Sequence, residues 1–268
     1  MGLSQASQHD RNFDDLADQF ARRVYGGSKG RIRLALLERD LREAVPTLYD
    51  EKPRLRILDA GGGEGQFSQT LAALGHSVDL CDLSAVMVAR AQERVNAAGL
   101  SDRMRCFQAA VQDVEPAPGY EQGYDLVLFH AVLEWVADPH AVLQDVLRHV
   151  RPGGQLSLMF YNLHSTVFRS VLRGFWDRVL AGDLKGRGKG LTPISPLVPD
   201  DVLDWLAAAG LDIQVRSGVR VFHDYLHHDM RKQQDNEAAL LELELRYSRQ
   251  EPFRSLARYY HVIARKPE

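Results

Sequence analysis

The apolar run Leu55-Arg56-Ile57-Leu58 opens directly into Asp59-Ala60-Gly61-Gly62-Gly63-Glu64-Gly65, a junction that few architectures accommodate. The run has the composition of a buried strand. The glycines let the backbone turn through positive φ and approach a ligand with no Cβ in the way. Gln66 to Leu74 then has helical spacing, with Gly75 as its stop. Strand, glycine turn and helix in this order form the first unit of an open α/β sheet, where nucleotide-like ligands sit beyond the carboxyl ends of the strands. As a turn alone, the glycines could merely reverse the chain; a later acidic residue at the expected distance favours a ligand.

The spacing of the glycines narrows the ligand class. A dinucleotide fingerprint requires G-x-G-x-x-G. Gly61 and Gly63 fit it, but Gln66 occupies the third place and Gly65 comes one residue early. An acid two places before Gly61, followed by G-x-G-x-G, is instead similar to the pattern of S-adenosylmethionine-dependent methyltransferases. Ser77-Val78-Asp79-Leu80-Cys81 reads as the second strand. Asp82 at its end lies about 20 residues past the glycines, where a carboxylate can accept from both hydroxyls of a ribose. Its rival role is capping the helix that starts at Ala85, which Ser84 would do equally well.

The rest of the chain continues the alternation. Helices are expected over Phe13 to Phe20, Arg31 to Val45, Ala85 to Ala98, Ala141 to Val150, Leu163 to Leu180, Asp200 to Ala209 and Asn236 to Tyr247. Further strands are expected over Met104 to Gln108, Tyr124 to Phe129, Gln155 to Tyr161, Ile213 to Phe222 and Tyr259 to Ala264. Arg151-Pro152-Gly153-Gly154 reads as a turn into the fifth strand. Tyr124 to Phe129 is almost wholly apolar, as befits a central strand covered on both faces. The pattern predicts an α/β, Rossmann-like, doubly wound, seven-stranded and mostly parallel sheet. Residues 1–10 are polar and expected to be disordered. Residues 11–268 read as a single domain, with an N-terminal helical cap over 11–50 and a substrate-side insertion over 163–198 after the fifth strand.

Bulk properties set outer limits. A net charge of −3 argues against a wholly basic nucleic-acid binder while leaving room for a local basic patch. Only two cysteines are present, Cys81 and Cys106, and they lack metal-ligand spacing, so no metal is expected and buried thiols in a reducing compartment are. No apolar run reaches membrane-spanning length and the start lacks a signal-peptide core, which predicts a cytoplasmic protein without membrane contact. No obligate protein partner is evident.

Several segments together resemble the bacterial tRNA 5-carboxymethoxyuridine methyltransferase family: Arg11 to Asp15, Leu58 to Gly65, Leu128 to Pro139, Leu156 to Asn162, Val219 to Leu226 and Tyr247 to Pro252. Phe129-His130-Ala131-Val132-Leu133-Glu134-Trp135 and Val221-Phe222-His223-Asp224-Tyr225 are the most distinctive, and the similarity runs from about Arg11 to Pro267. The resemblance implies transfer of the S-adenosylmethionine methyl group to the carboxylate of 5-carboxymethoxyuridine at a tRNA wobble position, giving the methyl ester. It also implies cofactor contacts at Arg33, Gly61, Gly62, Asp82, Asp113, Val114 and His130.

Each of these has a physical rationale and a rival. Arg33 is a planar, permanently charged fork suited to the methionine carboxylate, but equally a solvated helix-face charge. Asp113 could accept from the adenine amino group beside the Val114 amide, or be a turn acid before Pro116. His130 ends the fourth strand opposite the glycine turn, although a lone histidine there is often structural. An acceptor carboxylate needs no general base, because carboxylates are already ionised at neutral pH. It does need partners to hold it, and Tyr161, Arg220, His223 and Tyr225 are the candidates.

For the tRNA anticodon stem-loop, Lys185, Arg187 and Lys189 form a glycine-spaced basic loop, extended by Arg169, Arg173 and Arg178. Tyr161, Phe168 or Trp176 could stack an unpaired base. The alternatives are a small-molecule carboxyl or quinone methyltransferase, or a non-catalytic binding protein on the same fold. The Asn/Asp-Pro-Pro-aromatic motif of amine methyltransferases is absent from the segment that begins at Phe129.

Overall fold

The computed structural model describes residues 14, 27–115, 119–186, 193–227, 229–232 and 236–268. The expected helix over Phe13 to Phe20 and residues 1–10 lie outside the described residues. Within them, the strands are β1 (Arg56–Ala60), β2 (Ser77–Asp82), β3 (Met104–Gln108), β4 (Tyr124–His130), β5 (Val150–Tyr161), β6 (Asp212–Val219) and β7 (Tyr259–Arg265). Helices α1 (Gly27–Ala44), α2 (Gln66–Ala73), α3 (Ala85–Ala97), α4 (Pro139–Arg148), α5 (Leu163–Leu172), α6 (Trp176–Leu180), α7 (Pro199–Ala208), α8 (Glu237–Tyr247) and α9 (Phe253–Leu256) surround or connect them.

The sheet order is β3-β2-β1-β4-β5-β7-β6. β1 to β5 pair in parallel, whereas β7 runs antiparallel between β5 and β6. The order reverses between β1 and β4, so the crevice outside their carboxyl ends is the switch point at which such sheets bind ligands.

Side-chain alternation along the strands builds two cores. Leu58, Val127, Phe129, Leu156 and Leu158 point to one face, under α4 and α7. Ile57, Leu80, Leu126, Leu128 and Ile263 point to the other, where α1 lays down Ile32, Leu36, Leu37 and Leu41 and α2 adds Phe67 and Leu71. Ser84 caps α3 by accepting from the Met87 amide at 3.1 Å, and Asp138 caps α4 through the Ala141 amide at 3.0 Å.

Four boundaries differ from the sequence reading. α1 begins at Gly27, so part of the glycine-rich stretch before Arg31 is helical. β5 begins at Val150, because Arg151 to Gly154 stays in the sheet across a register shift opposite Tyr124 and Leu126. The expected helix Leu163 to Leu180 breaks into α5 and α6, with Gly174 at φ 75° between them. β6 stops at Val219 rather than Phe222, because Arg220 turns to φ 64° and the chain leaves the ladder. The amides of Val221, Phe222 and His223 then donate to the buried Glu244 carboxylate at 2.6, 3.0 and 2.8 Å. One carboxylate thus satisfies three backbone donors that the strand would otherwise have paired.

Candidate active site

The glycine turn closes onto β2. Gly61 and Gly62 donate to the Cys81 carbonyl at 2.8 and 3.1 Å. Gly61 has φ 71°, and a Cβ there would run into Val132. A Cβ on Gly62 would lie 2.5 Å from Asp59 Oδ2 and 2.7 Å from Leu80 Cδ1, so the turn has no room for a side chain. The Asp82 carboxylate accepts from the Gly63 amide and from the Ser84 amide, both at 2.8 Å, tying the turn to the start of α3. Glu64 turns the other way and pairs with Arg90 and Arg94 at 3.1 and 3.0 Å.

Above this turn lies a cavity that opens to solvent. Arg33, the three glycines, Asp82, Gln112 and His130 are among its polar or backbone walls, and Met87, Val111 and Trp135 among its apolar ones. Five sequence-predicted residues therefore meet here: Arg33, Gly61, Gly62, Asp82 and His130. Asp113 and Val114 follow Gln112 but do not line the cavity: Asp113 is exposed, and Val114 packs into the core beside Val111. The wall at this position is Ala109 to Gln112.

Burial raises the Asp82 carboxyl, although its two amide bonds oppose the shift. Asp59, fully enclosed beneath the turn with Ser68 as hydrogen-bond donor, is pushed up to about 7 by burial. Glu134 is also fully buried, with neither carboxyl oxygen hydrogen-bonded among the described residues. Burial raises it to about 7, opposed in part by its own amide, the Tyr161 amide and Arg33.

His130 ends β4, where Ala131 at φ 61° turns the chain away. Its Nε2 meets Ser157 Oγ at 2.8 Å; Ser157 Oγ meets His261 Nε2 at 2.9 Å; and His261 Nδ1 meets Asp40 Oδ2 at 2.8 Å. Burial above all holds the His130 ring well below its ordinary value, so it is neutral. Burial of Asp40 is outweighed by His261, Arg39 and Arg249, which hold that carboxyl below the usual range.

A second cluster adjoins the cavity through Tyr259. The Arg33 guanidinium lies 4.8 Å from the centre of that ring and the Arg220 guanidinium 5.1 Å. Arg220 pairs with Asp224 at 3.1 Å, both largely buried. Lys29, Arg169 and Arg173 also act on Asp224, and Arg231 acts on Lys29 and Arg173. Asp224 is correspondingly held below its ordinary value: burial raises it, and Arg220 leads the charges that more than offset this. His223 reaches Ser28 Oγ at 3.2 Å through Nε2, and its buried Nδ1 has no partner among the described residues. Burial first, and then the surrounding cations, lower His223 to about 4.

Of the four residues expected to hold the acceptor, Arg220 and His223 belong to this cluster directly. Tyr161 borders it, edge-on to Tyr259 at 5.4 Å and under the Arg258 guanidinium at 4.2 Å. The Tyr225 hydroxyl is engaged by Ser165 Oγ at 3.0 Å and by the Leu256 carbonyl.

From Tyr161, the chain runs into α5 and α6. These expose Phe168, Phe175 and Trp176 beside Val171, Leu172 and Leu180. Phe168 packs edge-on against Tyr225 at 5.3 Å, linking this surface to the cationic cluster. Lys185 lies beyond α6, while Arg187 and Lys189 fall outside the described residues. The cluster members Lys29, Arg231 and Asp224, like Tyr259, do not stand out as site residues in the sequence. Their only sequence signals are adjacency to distinctive motifs and, for Tyr259, the start of the last strand.

Residues 58–158 match the family model described as "Methyltransferase domain". The chain is 51% identical over 259 residues to the tRNA 5-carboxymethoxyuridine methyltransferase of Escherichia coli (strain K12), covering 97% of each. It is 32% identical over 120 residues to a malonyl-[acyl-carrier protein] O-methyltransferase of Erwinia billingiae, covering 45% of this chain and 44% of that one. Among solved structures, the fold is similar to magnesium protoporphyrin IX methyltransferase from Synechocystis PCC 6803 with bound SAH. The TM-score is 0.62 at 17% identity, with coverage of 95% and 96% of the two chains.

Proposed function

This chain belongs to the tRNA 5-carboxymethoxyuridine methyltransferase family, and we propose that its two adjoining sites hold a methyl donor and an anionic wobble nucleotide, respectively. The observation that carries the reading is the Arg33–Tyr259–Arg220 contact, which sets the glycine-floored cavity against a partly buried cationic cluster.

The cavity suits S-adenosylmethionine on its own chemistry. Its glycine floor leaves no room for a Cβ, Asp82 offers a carboxylate at the end of β2, and Arg33 offers a cation among apolar walls. When bound, that cofactor supplies an electrophilic methyl carbon on a sulfonium. Asp82 would hold the ribose, Gly61 and Gly62 the backbone approach, Arg33 the carboxylate end, and His130 the adjoining amino end. Gln112 and the wall from Ala109 would face the adenine side, in place of the Asp113 and Val114 contacts expected from the sequence.

The acceptor is a carboxylate that is ionised at neutral pH, so the protein needs to supply no base. Arg220 and His223, supported by Lys29, would orient it, with Tyr161 and Tyr259 excluding water from its flank. Alignment of this kind can contribute roughly 7–11 kcal/mol to catalysis in favourable cases. Arg169, Arg173 and Arg231 add positive charge beyond what one carboxylate requires, consistent with a phosphate of the same nucleotide. Phe168, Phe175 and Trp176 offer exposed ring faces for the neighbouring anticodon-loop bases. Lys185, Arg187 and Lys189 would contact the stem-loop backbone. Tyr225, with its hydroxyl engaged, would shape the site rather than touch the acceptor.

The test is nucleoside mass spectrometry of tRNA from a deletion strain, complemented with this protein. The free 5-carboxymethoxyuridine should accumulate without the gene, and its methyl ester should return on complementation. Ester levels that do not respond to complementation would reject the assignment.

A further inference from the structure

With both imidazoles neutral, the hydrogen-bonded line from Asp40 to His130 has one consistent direction. A carboxylate accepts and never donates, so His261 Nδ1 carries the proton at 2.8 Å from Asp40 Oδ2. The other Asp40 oxygen is taken by Arg39 and Arg249, at 2.7 and 2.8 Å, and Arg249 also pairs with Glu43 at 2.7 Å. The two guanidiniums balance Asp40 and Glu43. From the remaining sides, His261 faces Ser157 on β5, His130 on β4 and, across the ladder, Ser217 on β6, which adds no charge. The hydroxyl of Ser217 is turned to the same arginines, at 3.1 Å from Arg39 and 3.2 Å from Arg249. As a neutral imidazole, His261 carries no other ring proton.

With Nδ1 protonated, His261 Nε2 is a bare lone pair and takes the single hydroxyl proton of Ser157. Ser157 Oγ can then only accept from His130 Nε2 at 2.8 Å. We propose that Asp40, His261 and Ser157 are positioning residues that fix His130 as the Nε2–H tautomer, leaving Nδ1 as a lone-pair acceptor for the cavity. Such a nitrogen favours a cationic N–H donor and repels a carboxylate. It is matched to the α-ammonium of an amino-acid moiety whose carboxylate faces Arg33. It also turns the acceptor carboxylate away from His130 and toward Arg220. This assignment rests on the proposed cofactor site for its ligand, but the tautomer itself belongs to the ligand-free protein.

The first measurement is the side-chain ¹⁵N–¹H spectrum of ligand-free protein at pH 7. His130 should show a protonated Nε2 and an unprotonated Nδ1, and Ser157→Ala should release it to an averaged mixture. The second is calorimetric binding of S-adenosylhomocysteine, which carries the amino-acid group, against 5′-methylthioadenosine, which lacks it. Ser157→Ala should weaken the first by about tenfold or more, as for a lost hydrogen bond to a charged group, and change the second less than twofold. Ser157→Thr, which keeps the hydroxyl, should restore both the spectrum and the affinity. A wild-type spectrum with the proton on Nδ1, or equal losses for the two ligands, would overturn the proposal. The wild-type spectrum decides the tautomer even if Ser157→Ala does not fold. Failure of the wild-type protein to bind either ligand would instead reject the cofactor site.

Discussion

Replacing Glu134 with Gln should change how stability responds to pH, by an amount the burial of this side chain sets. Its carboxyl moves from an ordinary 4.5 to about 7 in the fold, chiefly through burial. Between those values, the native state holds a proton that the unfolded chain has released. Native stability therefore falls as pH rises through this window, with a limiting slope near 1.36 kcal/mol per pH unit. Integrated from the unfolded to the folded value, the loss is about 3.4 kcal/mol, an upper figure for one fully buried group. The amide of the Glu134→Gln variant cannot ionise, so the variant gains on the wild type by about that amount between about pH 4.5 and about pH 8. Any constant cost of burying an amide without partners shifts the whole difference but not its slope. Asp59, also raised to about 7, titrates in both proteins and cancels. Urea unfolding of both proteins at half-unit pH steps gives the difference directly. Parallel stability curves would refute the reasoning, because they would mean that Glu134 stays ionised in the fold.

Three further outcomes follow from the geometry. Gly62→Ala places a Cβ 2.5 Å from Asp59 Oδ2, so it should cost about 1–3 kcal/mol in thermal or urea unfolding and weaken S-adenosylhomocysteine binding in calorimetry. Arg220→Gln should lower kcat/KM for tRNA methylation by about a hundredfold or more, as expected when a buried charge-assisted contact is lost, while leaving the cofactor-analogue Kd within a fewfold. Replacing Lys185, Arg187 and Lys189 together with Ala should lower the magnitude of the salt slope of tRNA affinity by about 2–3, with kcat at saturating tRNA retained.

The half of the site built by local sequence is legible in the order of the residues alone. Strand, glycines and the acid at Asp82 are close in sequence, and the Gly63–Asp82 contact spans 19 residues. Arg33 and His130 can be placed because one lies on a helix before β1 and the other at a strand end. The proposed acceptor side is only partly readable. Arg220 and His223 stand in a distinctive stretch, but the strand expected around them is too long, because nothing local reveals that Glu244 captures the amides that follow Arg220. Lys29, Arg169 and Arg231 converge on the cluster from distant elements, and Tyr259 reaches it only because β7 is antiparallel and sits inside the sheet. The split of α5 from α6 is visible as Gly174, which a hydrophobic pattern running past it conceals.

The placement of β7 also orders the assembly of the molecule. The glycine-turn pocket is closed by short loops, whereas the Asp40–His261 contact spans 221 residues and waits for a strand that must slot between two others. Contacts of such separation carry the largest loop-closure cost and form late. A chain in which β1, β2 and β4 have paired while β7 has not would already possess the floor proposed for the adenosyl group, but neither the histidine line nor the wall bearing Tyr259. Retention of a nucleoside-like ligand is therefore a lenient criterion for a finished molecule. Turnover on RNA, which requires the last strand in register, is the stringent one.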